Sequence, residues 1–143
     1  MKIVDLAQGS QEWLDWRKEG ISGSDMPVIL GVSPYMTPWR LWAEKSGYLL
    51  PDDLSHNPHV IRGKRCEPEI RRLAEKIVGG ILLPYCVEDE DDPLFRFSSD
   101  GVAEDRYRTV IEAKGHSESV FRAIQEQGLD HPAVQLYGTQ LQM

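Results

Sequence analysis

Residues 98–115, "SSDGVAEDRYRTVIEAKG", read as two short strands joined by a turn. They also place Asp100, Glu112 and Lys114 where a hairpin that faces a core carries apolar side chains. Strand side chains alternate, so in "TVIEAK" Thr109, Ile111 and Ala113 point one way while Val110, Glu112 and Lys114 point the other. With "FSSDG" as the paired strand, Asp100 comes close to Glu112. Two carboxylates held together repel unless a cation or a proton lies between them. A hard divalent ion such as Mg²⁺ resolves that cost, because it accepts two carboxylates, a backbone carbonyl and a substrate phosphate as oxygen ligands. The Lys114 ammonium can then orient or polarise a water for attack on phosphorus. The bland alternative is a strand with one wet face, which often carries Glu and Lys, so this pattern alone is a weak signal.

The rest of the chain frames this segment. Its 143 residues, 41% hydrophobic and 27% charged, predict one domain with one sizeable core. No apolar run approaches the roughly 20 residues needed to cross a bilayer. The start, "MKIVDLAQGSQEW", lacks the apolar stretch of a signal peptide, which gives a cytoplasmic expectation. Cys66 and Cys86 form no CxxC pair and read as buried free thiols. The net charge of -7 argues mildly against non-specific adhesion to nucleic acid, but its distribution matters more. Acid gathers in "EDEDD", residues 88–92, a solvated loop; "RGKRCEPEIRR", residues 62–72, holds Arg62, Lys64, Arg65, Arg71 and Arg72 and offers a local phosphate-facing surface.

Ser10 is placed to cap a first helix carrying Trp13, Leu14 and Trp16, with Gly20 just past its end. "ISGSDMPVILG" follows as a tight turn into a short helix capped by Ser22 or Ser24. Thr37 and Pro38 open "PWRLWAEKSG", which Gly47 closes. Residues 48–59 read as a loop. Over 60–78, Cys66, Ile70, Leu73 and Ile77 recur at helical spacing, predicting one buried stripe bordered by Glu67, with Pro68 kinking the helix or starting it afresh. Strand candidates are "ILLPYCV", "LFRFSS" and "RTVIEAK"; Ser117 and Asp130 then cap two last helices, the second being "PAVQLYGTQLQM". Helices, a strand meander, then helices predict a mixed α/β or α+β domain.

Taken in order, "WRKEGISGSD", "ILGVSPYMTPWRLWAEKSG", "RGKRCEP", "FSSDG", "IEAKG" and "YGTQLQ" resemble the phage-type exonucleases of the lambda exonuclease and YqaJ viral recombinase group, within the PD-(D/E)xK nuclease superfamily. The resemblance runs from about Gln8 to Met143. It implies a restriction-endonuclease-like core with N-terminal helices and a central mixed sheet, forming a single nuclease domain over residues 1–143. It further implies Asp100 and Glu112 as metal-binding acids, Lys114 as the catalytic lysine, Glu67 as an additional acid, and the Ala113 carbonyl as a further metal ligand. Arg17 and Ser24 match a pocket for a terminal DNA 5′-phosphate, with Ser98 and Gln140 as its remaining members. The implied cofactor is Mg²⁺ or Mn²⁺. The implied partners are double-stranded DNA, a single-strand annealing protein and further copies of the chain, as the ring trimer of relatives. "EAKGH" replaces the usual "ExKCP", which alters the strand exit and not the charged triad. Relatives continue past the glutamine helix into a further strand and helix, so those C-terminal family elements are expected to be missing here.

Each residue also has a plainer reading. Arg17 can pair with Glu12 or Asp15, Ser24 can merely cap, and Glu67 can pair with Arg71 one turn on. Trp13, Trp16, Trp39 and Trp42 at helical spacing are more often core than base-stacking platforms. His56 and His59, on a Pro-rich loop, face water. The expected activity is a 5′-to-3′ exonuclease on duplex DNA ends; an endonuclease with the same chemistry, and an inactive remnant that binds DNA ends or a partner, are the competing readings.

Overall fold

A computed structural model describes residues 2–103 and 109–141. The chain opens with strand β1 (Lys2–Val4), helix α1 (Gln11–Lys18), strand β2 (Ile21–Ser22), a 3-10 turn (Gly23–Asp25), and helices α2 (Met26–Ile29), α3 (Pro38–Lys45) and α4 (Pro58–Val78). Strands β3 (Leu82–Leu83), β4 (Cys86–Glu88), β5 (Phe95–Ser98), β6 (Gly101–Ala103) and β7 (Val110–Ile111) follow. Helix α5 (Glu118–Gln127), a second 3-10 turn (Gly128–Asp130) and helix α6 (Pro132–Leu141) complete a mixed α+β architecture.

The helix starts are where capping chemistry puts them. The side chains of Ser10, Thr37 and Ser117 accept from the backbone N–H of Trp13, Arg40 and Val120, each meeting one donor that a helix N-terminus leaves unpaired. Ser22 and Asp25 cap the first 3-10 turn reciprocally. At α6 the expectation shifts by one residue. Asp130 ends the preceding 3-10 turn, and it is the Nδ1 of His131 that accepts from Ala133 N–H. Gln142 and Met143, the expected end of that helix, lie outside the described residues.

The strands divide between two sheets. A mixed four-stranded sheet runs β1-β4-β5-β2, antiparallel except for the parallel β2–β5 pair; a second, antiparallel sheet runs β3-β6-β7. β1 has no counterpart among the expected strands. The expected strand "ILLPYCV" is interrupted between Leu83 and Cys86, because Pro84 has no N–H for a ladder, and its halves join different sheets. Arg108, where "RTVIEAK" was expected to start, lies outside the described residues.

The buried apolar side chains are Trp16, Val28, Ala43, Leu82, Cys86 and Ala103. Several expectations fail here, the core reading of Trp39 and Trp42 among them, at 65% and 55% exposed. The α4 stripe is not buried: Leu73 is 59% and Ile77 86% exposed, although the helix meets β3 and ties Arg71 to the Asp100 carbonyl. Pro68 sits inside one uninterrupted helix and does not start a second. Cys86 is buried as expected, whereas Cys66 is only half-buried. Among the described residues, no helix is long and apolar enough to cross a membrane.

Candidate active site

Where β5 hands over to β6, the backbone is fixed from several sides. Ser99 is buried; its N–H donates to Tyr85 O at 2.9 Å, its Oγ accepts from Tyr85 N–H at 3.1 Å, and its carbonyl accepts from Gln8 Nε2 at 2.8 Å. Residues two apart in extended chain share a face, so anchoring Ser99 inward turns Ser98 and Asp100 together into one hollow. In the β6–β7 ladder Gly101 opposes Ile111, so one further step brings Asp100 opposite Glu112. Ala113 N–H donates to Asp100 Oδ2 at 2.6 Å and closes that end of the hairpin.

The charges are arranged in two couples. Lys114 Nζ lies 2.5 Å from Glu112 Oε1, and Arg71 Nη2 lies 2.6 Å from Glu67 Oε1. Arg71 Nε also donates to the Asp100 carbonyl at 2.5 Å, tying α4 to the strand junction. The plainer reading of Glu67, pairing with Arg71, is therefore realised, and Glu67 lines the hollow as well. Burial pushes the Glu67 carboxyl above the usual range, and the neighbouring Asp100 charge adds to it. Burial likewise raises Glu112, although Lys114 opposes it. Ionised, this carboxylate group carries more negative charge in a desolvated place than Lys114 and Arg71 relieve. Such a donor set fits a hard divalent cation. Among the described residues, no three His, Cys, Asp or Glu side chains form a ligand cage by themselves.

A second cluster occupies the other side of the same hollow. Arg17, in the last turn of α1, donates from Nη2 to Ser24 Oγ at 2.6 Å and to Ser22 Oγ at 3.2 Å, in place of Glu12 or Asp15. Its guanidinium lies 4.7 Å from the centroid of the Trp13 ring, whose indole N–H donates to Ser98 Oγ at 2.8 Å. Trp13 is thus both a cation–π platform and a tether to the strand junction. Burial lowers the Arg17 pKa from its ordinary value, with Asp25 acting against the shift. Gly23 lets this turn approach α6 closely: a Cβ there would lie 2.7 Å from the Gln140 carbonyl oxygen.

One cavity of about 460 Å³ is lined by Arg17, Ser24, Ser98 and Gln140 together with Glu67, Asp100, Glu112 and Lys114. A larger one, about 860 Å³, shares Glu67, Asp100 and Lys114 with it and adds Ala113, Arg62, His59 and Tyr137. The structure brings the two groups of sequence candidates into contact with adjoining space, Ala113 on the far side of the acids. Lys64, from the basic segment, lines the smaller cavity. Sequence reasoning missed Trp13 as a site residue, and it missed Gln8, Asp25 and Lys45 altogether. Ser22 and Ser24, read as alternative caps of a tight turn, carried the signal there.

The chain matches the model of the YqaJ-like viral recombinase domain over residues 12–143. It is also 50% identical over 46 residues to the "Uncharacterized protein YqaJ" of Bacillus subtilis (strain 168), a match covering 29% of this chain and 14% of that protein.

Proposed function

The chain belongs to the family defined by the YqaJ-like viral recombinase domain, a family of phage-type recombination nucleases, and on that premise we propose that it is a metal-dependent deoxyribonuclease acting 5′ to 3′ from 5′-phosphorylated ends of duplex DNA. The observation that carries this reading is the single cavity that joins the Asp100, Glu112 and Lys114 cluster to Arg17, Ser24, Ser98 and Gln140. A general nuclease needs only the first group. An enzyme that measures its cut from a chain end gains from having the second beside it.

Asp100, Glu112 and the Ala113 carbonyl would hold Mg²⁺ or Mn²⁺, with Glu67 as the adjoining acid. When bound, the ion supplies Lewis-acid stabilisation of charge on the scissile phosphate and lowers the pKa of an attacking water. The protein's own contributions are positional. The Ala113 N–H fixes the rotation of the Asp100 carboxylate, leaving Oδ1 for a ligand. Lys114 orients the water and offers positive charge to the pentacovalent phosphorus, its ammonium lying 5.1 Å from the centroid of the Tyr137 ring. Arg17 receives the terminal phosphate through charge-assisted bonds, Ser24 and Ser98 add hydroxyl donors, and Gln140 adds an amide. The larger cavity leaves room for the remaining strand. The reading extends to a homo-oligomeric ring and a single-strand annealing partner; exposed Ile77, Ile81 and Leu129 give apolar surface for such contacts.

The test is cleavage of 5′-labelled linear duplex and of covalently closed circular duplex, with and without Mg²⁺. Mg²⁺-dependent release of nucleotides from linear ends alone is the expected result. Cutting of closed circles establishes the endonuclease instead, and retention of DNA ends without cleavage at any metal concentration establishes a binding remnant.

A further inference from the structure

Beneath the Arg17 cluster lies a largely buried ion pair, Asp25 and Lys45, that does not line the cavity itself but bonds to Ser22 and to the Arg17 backbone, which do. Asp25 is 7% exposed, and its Oδ2 receives three donors: Ser22 N–H at 2.8 Å, Ser22 Oγ at 2.9 Å and Lys45 Nζ at 2.9 Å. Lys45 Nζ also donates to the Arg17 carbonyl at 3.0 Å and the Gly20 carbonyl at 2.5 Å, so its three N–H bonds have three acceptors. The two carbonyls belong to the end of α1 and the chain leaving it. One ammonium on α3 therefore ties the backbone that carries Arg17 to the carboxylate that caps the Ser22–Ser24 turn.

The hydroxyl protons then have one consistent arrangement. A serine has a single O–H, and that of Ser22 goes to Asp25, so in the 3.0 Å contact between Ser22 and Ser24 it is Ser24 that donates. Ser24 Oγ in turn accepts from Arg17. The hydrogen bonds run from Arg17 to Ser24 to Ser22 to Asp25, with Lys45 closing the chain from the other side. Ser22 is locked as an acceptor towards the pocket. The Ser24 proton, held only by Ser22, is the one that can turn onto an arriving anion.

We propose that Lys45 and Asp25 are the positioning pair of the end-phosphate pocket, fixing the place of Arg17 and making Ser24, rather than Ser22, the hydroxyl that donates to the phosphate. This rests on the end-binding reading of the pocket. It assigns neither residue a contact with DNA.

The experiment compares wild type with Lys45→Met, Lys45→Arg, Ser22→Ala and Ser24→Ala. The first readout is the ratio of cleavage rates on matched 5′-phosphate and 5′-hydroxyl duplexes; the second is the Arg17 Nε–Hε NMR signal of the DNA-free protein. Lys45→Met is expected to lower the ratio about tenfold, the discrimination of one charge-assisted hydrogen bond, and to shift the Arg17 signal. Lys45→Arg should not restore either, because a planar fork cannot serve three acceptors gathered around one point charge. Ser24→Ala should lower the ratio more than Ser22→Ala. A folded Lys45→Met with the ratio and Arg17 signal of wild type overturns the proposal, as does a larger loss from Ser22→Ala. Should Lys45→Met leave Asp25 an unpaired buried charge and fail to fold, the double variant with Asp25→Asn removes both charges and carries the same two readouts. A wild-type protein without end preference overturns the end-binding function itself; the Arg17 signal then decides the positioning role alone, a shift sustaining it and an unshifted signal ending it.

Discussion

Asp100 takes the N–H of Ala113 on its Oδ2 at 2.6 Å, across the hairpin end at which Glu112 faces it. One carboxylate oxygen is thereby committed to the protein and the other is left to a ligand. Asp100→Asn and Glu112→Gln preserve shape while removing charge, so each should lower Mg²⁺-dependent cleavage at least about 10²-fold. Mn²⁺ titration by calorimetry should show binding to wild type and a large loss in both variants. Equal Mn²⁺ affinity in all three proteins places the metal elsewhere.

In the proposed mechanism Lys114 has a different role from these acids although it touches one of them, at 2.5 Å from Glu112. Lys114→Ala removes a water-orienting charge and no ligand, so kcat should fall roughly 10²-fold or more while Mn²⁺ affinity holds or rises. Single-turnover rates at saturating metal separate the two. Near-normal turnover with weakened Mn²⁺ binding contradicts the assignment.

The approach of Asp100 to Glu112 was legible in the sequence because an antiparallel pair has a period of two: Gly101 opposes Ile111, and one step outward sets Asp100 against Glu112. The alternation expected over "TVIEAK" was not realised in full, since β7 ends at Ile111 and Glu112 to Lys114 lie beyond it, and Phe97 and Ser98 of "FSSDG" belong to β5, which pairs with β4 and β2 instead. Ser10, Thr37 and Ser117 were legible for a similar reason, since a cap is satisfied within three residues of itself. Lys45 and Asp25 are 20 residues apart on different elements, and no local pattern announces their contact. Trp13 looked like core because helical spacing does not distinguish a ring packed inward from one that carries a guanidinium. The α4 stripe misled in the opposite sense: periodicity shows that a helix has an apolar face, and Ile77 shows that nothing among the described residues need cover it.

Gly23 joins the turn that carries Ser22 and Ser24 to α6, with room for no side chain. A Cβ would meet the Gln140 carbonyl oxygen at 2.7 Å and the Phe97 ring at 3.0 Å. Gly23→Ala should therefore cost about 1–3 kcal/mol, an overpacking penalty, and lower Tm by roughly 3–9 °C. The same shift moves Ser24 and Gln140 apart, so end preference should fall with stability. A thermal melt equal to wild type shows that the turn and α6 are less closely joined.

The two thiols should differ in reactivity. Cys86 is 2% exposed and burial pushes its thiol above the usual range, which lowers the thiolate fraction at any pH below that shifted value. Cys66 is half-buried and packs against Gly115, where a Cβ would lie 3.2 Å from its own. At pH 8, a thiol reagent should modify Cys66 first, with Cys86 reacting only on unfolding. Peptide mapping of the labelled protein checks the order, and equal labelling of both thiols in the native state refutes it.

The Arg17 prediction bears most directly on what the protein does, because this guanidinium is the part of the cavity that phosphodiester hydrolysis does not require. Its two hydroxyl partners and the Trp13 ring hold it over the hollow, with no carboxylate among the described residues in direct contact, which leaves its charge available to an incoming anion. Wild type should degrade 5′-phosphorylated duplex faster than 5′-hydroxyl duplex. Arg17→Ala should largely erase that difference, a loss of about 1.5–3 kcal/mol for a hydrogen bond to a charged group. Lys64 lines the same cavity but has no place in the hydroxyl cluster, so Lys64→Ala should slow both substrates alike and flatten the salt dependence, as a contact to a backbone phosphate does. Rates on matched ends at two salt concentrations distinguish these effects. Equal wild-type rates on both ends remove the reason for the pocket, and the acids would then serve an enzyme that cuts without reference to an end.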